Sequence, residues 1–497
     1  MQNAVDFFLD RHVREGHAEA LAFDDGERRL TYAGLQAASF RFASALAAAG
    51  IGRERRVGLL LLDTVDFPIA FWGCLRAGVV PVPINTLLPP DMVGYILSDC
   101  RAEAAFVSAA LYPSLAPVLA GPRHVVTTGE SFAAFLAACG PDAETADAKA
   151  EEVAFWVYSS GSTGAPKGVK HVHASLRATA DTFGAHVLGI RPDDVVFSAA
   201  KLFFAYGLGN SMTFPMSVGA SSVLLAGRPT PEAVLEVMRR ARPTIFCGVP
   251  TLYAALLANP AIGPGAGSDR LRRCVSAGEA LPETIGRRWR ERVGVDILDG
   301  IGSTEMLHIF LSNRPADVRD GTTGRAVPGY DLRIVDEAGR DVADGESGEL
   351  LVRGPSAAEG YWNQLTKTRR TFRGEWTFTG DTYSRDADGY YRYGGRSDDM
   401  MKVGGIWVSP FEVEAALVAH PAVLEAAVVG HADADGLIKP RAFVVLQAGA
   451  AGTDPEALKQ HVKEKIGGWK YPRWIEFVEN LPKTATGKIQ RYKLRDP

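Results

Sequence analysis

Ser159-Ser160-Gly161-Ser162-Thr163-Gly164 is an unbroken run of small hydroxyl residues and glycine, with Pro166, Lys167 and Gly168 close behind. Such a stretch supplies free N–H groups, hydroxyl donors and one cation, on a backbone that can approach a ligand closely. That combination suits phosphate oxygens. Val153-Ala154-Phe155-Trp156-Val157-Tyr158 reads as a buried strand before it, and His173-Ala174-Ser175-Leu176 opens a helical pattern after it. The loop is therefore expected between a strand and a helix. A Walker A loop is excluded, because counting from Gly161 the second required glycine is Pro166, and no Ser or Thr follows Lys167. A plain Gly/Ser surface loop is the alternative for this stretch taken alone.

Further residues with chemical potential follow in order: Thr304-Glu305 within Asp299-Gly300-Ile301-Gly302-Ser303-Thr304-Glu305, then Thr379-Gly380-Asp381, Gly395-Arg396-Ser397-Asp398, and Pro482-Lys483-Thr484-Ala485-Thr486-Gly487-Lys488. In type, order and spacing these motifs, with the Ser159 to Lys167 loop, resemble those of the adenylate-forming enzymes, the superfamily that contains the acyl-CoA ligases. The resemblance runs from the loop to the C-terminus.

It implies a role for each residue. Ser159, Ser160, Gly161, Ser162, Thr163, Gly164 and Lys167 would hold the β- and γ-phosphates of ATP. Thr304 would contact the α-phosphate, and Glu305 would help hold Mg²⁺, a hard cation that takes oxygen ligands. Ser276, Ala277, Gly278 and Glu279 resemble the segment packed along the adenine, and Asp299, Gly300 and Ile301 complete the nucleotide set. Asp381 resembles the ribose-binding aspartate, and Arg396 the arginine near ribose and phosphate. Lys488 would bridge carboxylate and α-phosphate oxygens during adenylation, as an ammonium on a flexible stem can. Asp398 resembles a hinge, and Lys402 lies in the segment implied to swing inward for thiol attack.

One branch, the benzoate–CoA ligases, is resembled most closely. Ser198-Ala199-Ala200-Lys201-Leu202-Phe203-Phe204-Ala205-Tyr206-Gly207 and Thr304-Glu305-Met306-Leu307-His308-Ile309 carry that likeness. It implies an aryl pocket lined by Phe203, Ala205, Tyr206, Gly207, Gly302, His308 and Ile309, a flat apolar slot with one or two polar tips. The implied reaction joins benzoate or an amino- or hydroxybenzoate to coenzyme A, with ATP as co-substrate. No carrier-protein segment follows the last motif, so coenzyme A is the expected thiol. Loading of a separate carrier protein, or nucleotide binding without catalysis, are the competing readings. The second is disfavoured by the joint presence of Lys488, Glu305 and Asp381. His171 and His173 have no set of metal-ligand partners and are expected to make local polar contacts.

These residues need a scaffold of more than one domain, since 497 residues exceed what one core usually holds. Strand, helix, strand from Arg56 to Pro83, and again from Val195 to Cys247, predicts an α/β fold with parallel sheets covered by helices. Short strands separated by Gly and Asp from about Thr322 predict a β-rich subdomain. A small α/β unit follows, which the resemblance implies is mobile. The expected division is an N-terminal domain over 1–395, a hinge over 396–399 and a C-terminal domain over 400–497.

The 46% hydrophobic and 23% charged fractions are those of a soluble globular chain, and the net charge of −4 gives no reason to invoke nucleic acid or an anionic membrane. No apolar run reaches the length of a membrane span, and the first residues do not resemble a signal peptide. Five scattered cysteines without a CxxC pair argue for free thiols and a cytoplasmic setting. A homodimer is a further expectation.

Overall fold

The computed structural model describes residues 3–141, 143–159, 166–396, 399–403, 406–434, 437–468, 470–483 and 489–495, with Lys402, Ile406 and Trp407 described by their backbone alone. Its largest sheet has nine strands among the described residues. The middle of that sheet is parallel and runs Ile297–Gly302, Arg273–Ser276, Ile245–Gly248, Val195–Ser198, Ser221–Val223 and Leu21–Asp24. Antiparallel strands close both edges: Ile309–Ser312 with Arg325–Ala326 on one side, Arg29–Thr31 on the other. Every residue of Ile245–Gly248 is buried, as expected of a strand covered by helices on both faces.

A second, parallel sheet pairs Val80–Pro83, Arg56–Leu60, Ala104–Val107 and His124–Thr127. Helices Tyr32–Ala48 and Asp66–Arg76 pack beside it and share one core with it, in which Phe42, Phe106, Trp72 and Leu59 are fully buried. The α/β class and the alternating elements expected from the sequence are all present.

The elements flanking the glycine-rich stretch differ from the expectation. Val153–Ser159 pairs antiparallel with Lys167–Val172, Ser159 facing Lys167, and helix His173–Thr179 starts only after that second strand. The two strands that flank the stretch are therefore paired with each other. The second strand was hidden because its buried positions are Gly168, Val169 and His171, a poor match to an apolar alternation. Its outer edge is completed by Gly360–Tyr361.

Beyond Thr322 an antiparallel sheet is built on Trp376–Arg385, which pairs with Ser347–Arg353, Phe372–Arg373 and Tyr391–Arg396. The small C-terminal domain follows. Helices Pro410–Val418 and Pro455–Ile466 each start with proline behind a polar cap: Ser409 Oγ accepts from Glu412 N, and the Asp454 carboxylate accepts from Glu456 N. They share a core with Val423–Ala432 and Ile438–Leu446, in which Val413, Leu417, Val428, Val444, Leu458 and Val462 are buried.

Candidate active site

The C-terminal ends of three neighbouring parallel strands line up, with Gly248 beside Ser276 and Ser276 beside Asp299. Such an edge is where open α/β sheets bind ligands. The Asp299 carboxyl is buried, and desolvation pushes it well above the usual carboxylate range against the pull of the Leu281 and Gly300 amides. Asp299 Oδ1 and Ser276 Oγ have no hydrogen-bond partner among the described residues. Buried polar atoms left unpaired cost free energy, so they mark a place suited to a polar ligand.

A charged cluster lies on the hairpin side. Tyr361 Oη donates to Glu305 Oε1 at 2.8 Å, and Lys167 Nζ stands 3.9 Å from the same oxygen. Lys167 also lies over the Tyr361 ring, 4.5 Å from its centroid. Burial lowers the Lys167 ammonium below its ordinary range. Glu305 opposes that, and the positive charges of Lys367 and Arg396 add to it. Extra anionic charge there would therefore be stabilising. Thr304 is held by its carbonyl, which accepts from His171 Nε2 at 2.8 Å. Burial lowers His171 to about 4, so it is a neutral donor that orients the Thr304 to Glu305 turn. The expectation of a local polar contact for His171 holds.

On the β-rich side, Arg396 Nη1 donates to Asp381 Oδ1 and to the Thr379 carbonyl, both at 3.1 Å, and Asp381 and Arg396 face each other across the strand pair. With the Arg396 side chain 41% exposed, solvent screens its side of this ion pair.

Among the aryl candidates, Tyr206 and His308 meet at the same sheet edge. Tyr206 Oη reaches the carbonyls of Gly248 and Val275 at 3.2 and 3.3 Å. Its ring lies 5.6 Å from that of His308, which is also walled by Phe214 at 4.5 Å and Phe183 at 5.0 Å. Burial drives His308 down to about 3, the Tyr206 backbone opposing this weakly, and neither ring nitrogen has a partner of good geometry among the described residues. Gly302 faces Ile309 across the strand pair. A Cβ on Gly302 would lie 2.5 Å from the His308 carbonyl oxygen, and one on Gly207 would overlap the Lys201 carbonyl. Both glycines are thus required by backbone packing before any ligand is considered. Ala205 is buried at the start of helix Ala205–Leu208, while Phe203 meets Phe204 edge-on at 4.5 Å on the turn ahead of it.

Ser160, Gly161, Ser162, Thr163, Gly164, Asp398 and Lys488, together with the side chain of Lys402, lie outside the described residues. Ser159 is the end of its strand, its Oγ buried without a partner among the described residues. Tyr361 was missed by sequence reasoning. Its one signal was position, in the strand Gly360–Tyr361 that pairs with the residues after the loop, and that pairing emerges only on folding. Among the described residues no three His, Cys, Asp or Glu side chains cluster as a metal cage. The Glu305 carboxylate beside the Lys167 ammonium nevertheless fits Mg²⁺, which commonly takes one or two carboxylates and completes its shell with phosphates and water.

Fold and site together define a nucleotide-dependent enzyme that activates a carboxylate, and the chain belongs to the AMP-binding enzyme family: the family's main model matches residues 9–362 and its C-terminal domain model residues 412–488. The benzoate–CoA ligase of Thauera aromatica is 54% identical, over 99% of this chain and 95% of that protein. The crystal structure of a benzoate–CoA ligase from Burkholderia xenovorans LB400 superposes with a TM-score of 0.93 at 49% identity, covering 100% of both chains. That of the anthranilate–CoA ligase AuaEII in complex with anthranoyl-AMP gives 0.93 at 44% identity, over 99% of this chain and 96% of that one. No helix of the described residues is long and apolar enough to cross a membrane.

Proposed function

We propose that the protein is an ATP-dependent, AMP-forming aryl acid–CoA ligase acting on benzoate or a small ring-substituted benzoate. The observation that carries this is the meeting of two unlike surfaces at one sheet edge: polar atoms of Ser276 and Asp299 on one strand pair, and the aromatic enclosure of His308 reached through Tyr206. The aryl carboxylate attacks the α-phosphorus of ATP, pyrophosphate leaves, and the thiol of coenzyme A then attacks the acyl carbon and expels AMP. Lys167, with the 160–164 loop, receives the β- and γ-phosphates, and Asp381 and Arg396 take the ribose side. Residues 276–279 and 299–301 receive the base.

Glu305 and Thr304 hold the metal and α-phosphate end. Mg²⁺ held there would neutralise the charge of the leaving pyrophosphate. Lys488 compensates charge as the carboxylate attacks, Lys402 serves the thiol step, and Asp398 is the pivot between domains over 1–395 and 400–497. Phe203, Ala205, Tyr206, Gly207, Gly302, His308 and Ile309 form the acid pocket. The expected setting is a cytoplasmic homodimer.

The test is stepwise. With benzoate, ATP and Mg²⁺ but no thiol, the enzyme should exchange labelled pyrophosphate into ATP, and added coenzyme A should then yield benzoyl-CoA. If exchange proceeds but coenzyme A discharges nothing, carrier-protein loading replaces this reading.

A further inference from the structure

Ile489, the residue after Lys488 in the chain, makes a bond that reaches across the molecule. Its backbone N–H donates to Glu279 Oε1 at 2.8 Å, over a sequence separation of 210 residues. Glu279 belongs to the turn that leaves strand Arg273–Ser276, so the bond joins the nucleotide edge of the large sheet to the C-terminal domain. The local geometry makes this N–H available. Ile489 pairs with Lys483 in an antiparallel bridge, and the neighbouring hydrogen bond runs from Gln490 N to the Pro482 carbonyl. That pattern turns the Ile489 N–H outward.

The described residues that flank the 484–488 segment are also tied to their own domain. Lys483 Nζ donates to Glu425 Oε1 at 2.6 Å, Arg491 forks onto Glu414 at 2.7 and 3.0 Å, and the Ile489 side chain packs against the cluster of Ala427, Val429, Phe443 and Leu481. Glu279 also acts electrostatically on Arg491, favouring its charged form.

We propose that Glu279 is a positioning residue for the adenylation step: by accepting the Ile489 N–H it fixes the base of the segment that carries Lys488 against the nucleotide edge. A carboxylate is suited to this because a charge-assisted bond is stronger than a neutral one. Glu279 ends the 276–279 segment proposed to receive the base, and the bond to Ile489 gives it a second role. The inference rests on the proposed role of Lys488.

The experiment measures both half-reactions separately, as benzoate-dependent pyrophosphate exchange and as benzoyl-CoA formation from pre-made benzoyl-AMP, for Glu279→Ala, Glu279→Gln, Ile489→Pro and Lys488→Ala. Glu279→Ala should lower kcat for exchange about tenfold or more, with the KM for ATP changed less than about threefold. Glu279→Gln keeps an acceptor oxygen and should recover most of the loss. Ile489→Pro deletes the donor from the other side and should match Glu279→Ala, which keeps the test intact if one variant folds poorly. Thioester formation should fall less than exchange in all three.

A raised ATP KM at unchanged kcat would make Glu279 an ordinary nucleotide contact and overturn the inference, as would equal loss in both half-reactions. If Lys488→Ala exchanges pyrophosphate normally while Glu279→Ala shows the split, the role of Lys488 fails and the anchoring stands. If Lys488→Ala is inactive in exchange and Glu279→Ala is not, only the anchoring fails.

Discussion

The two sides of the sheet edge handle polar groups in opposite ways. On the side proposed to receive the nucleotide, Lys167 and Glu305 keep their side chains 18% exposed, and Asp381 is paired to an arginine that is itself 41% exposed. On the acid side, His308 is 2% exposed and enclosed by Phe183, Tyr206 and Phe214. The first arrangement keeps charge available and rearrangeable, as binding a triphosphate and releasing pyrophosphate require. The second removes charge: imidazole is neutral there, so selection rests on shape and on a few polar atoms. Under the proposed function, charge handling and substrate choice are separated within one crevice, and mutations on the two sides should fail differently.

The largest separation is expected from Glu305→Gln, which keeps the shape but removes the negative charge. Losing a positioned charged group should lower pyrophosphate exchange about 100- to 1,000-fold, with thermal stability little changed. An exchange rate near wild type would detach Glu305 from the reaction. On the acid side, Gly302→Ala should instead damage folding, because its methyl meets the His308 carbonyl oxygen at 2.5 Å. About 1–3 kcal/mol of lost stability is expected by denaturant unfolding, with aryl acids affected whatever their substituents. A variant of unchanged stability that discriminates among substituents would show that Gly302 is small for the ligand's sake.

A smaller effect is expected from Tyr361→Phe. It removes the 2.8 Å bond to Glu305 and leaves the ring under Lys167. The loss should be about 0.5–1.5 kcal/mol, read as a few-fold drop in exchange that high Mg²⁺ partly restores. Loss as large as that of Glu305→Gln would give the phenol a direct role.

A further effect is in pH dependence. His308 titrates near 3 in the folded chain and near its ordinary 6.5 when unfolded. Between those values the unfolded chain binds more protons, so stability rises with pH and is lost as pH falls from about 6.5 toward 3. His308→Asn should flatten the stability–pH slope in that window by about one proton. An unchanged slope would mean that the imidazole is solvated and that the acid side is not dry.

Legibility in the sequence followed the same division. Charged and glycine-rich motifs stand out at fixed spacing, so Glu305, Thr304, Asp381 and Arg396 could be named from the chain alone, and the structure brings Glu305 to Lys167 and Asp381 to Arg396. The parallel strands were equally plain, since Ile245–Gly248 and Ala104–Val107 are buried throughout. What could not be read depends on pairing between distant segments. The strand Lys167–Val172 lacks apolar alternation and exists because it pairs on both edges, and that pairing also delivers Tyr361 to Glu305. Nor could the chain alone show that a Cβ on Gly302 or Gly207 would meet a neighbouring carbonyl. The Glu279 to Ile489 bond spans two domains and leaves no local trace.

The central claim is that a dry, neutral, aromatic slot chooses the acid while a separate charged cluster activates it. A competition assay tests it most directly: benzoate, amino- and hydroxybenzoates and a short fatty acid offered together with ATP, Mg²⁺ and coenzyme A, the thioesters being resolved by mass. The account predicts that aryl thioesters dominate, and that His308→Ala redistributes product among the ring-substituted acids while Glu305→Gln lowers all products in proportion. Predominance of the fatty acyl thioester, or a product distribution that shifts with Glu305→Gln and not with His308→Ala, would contradict it.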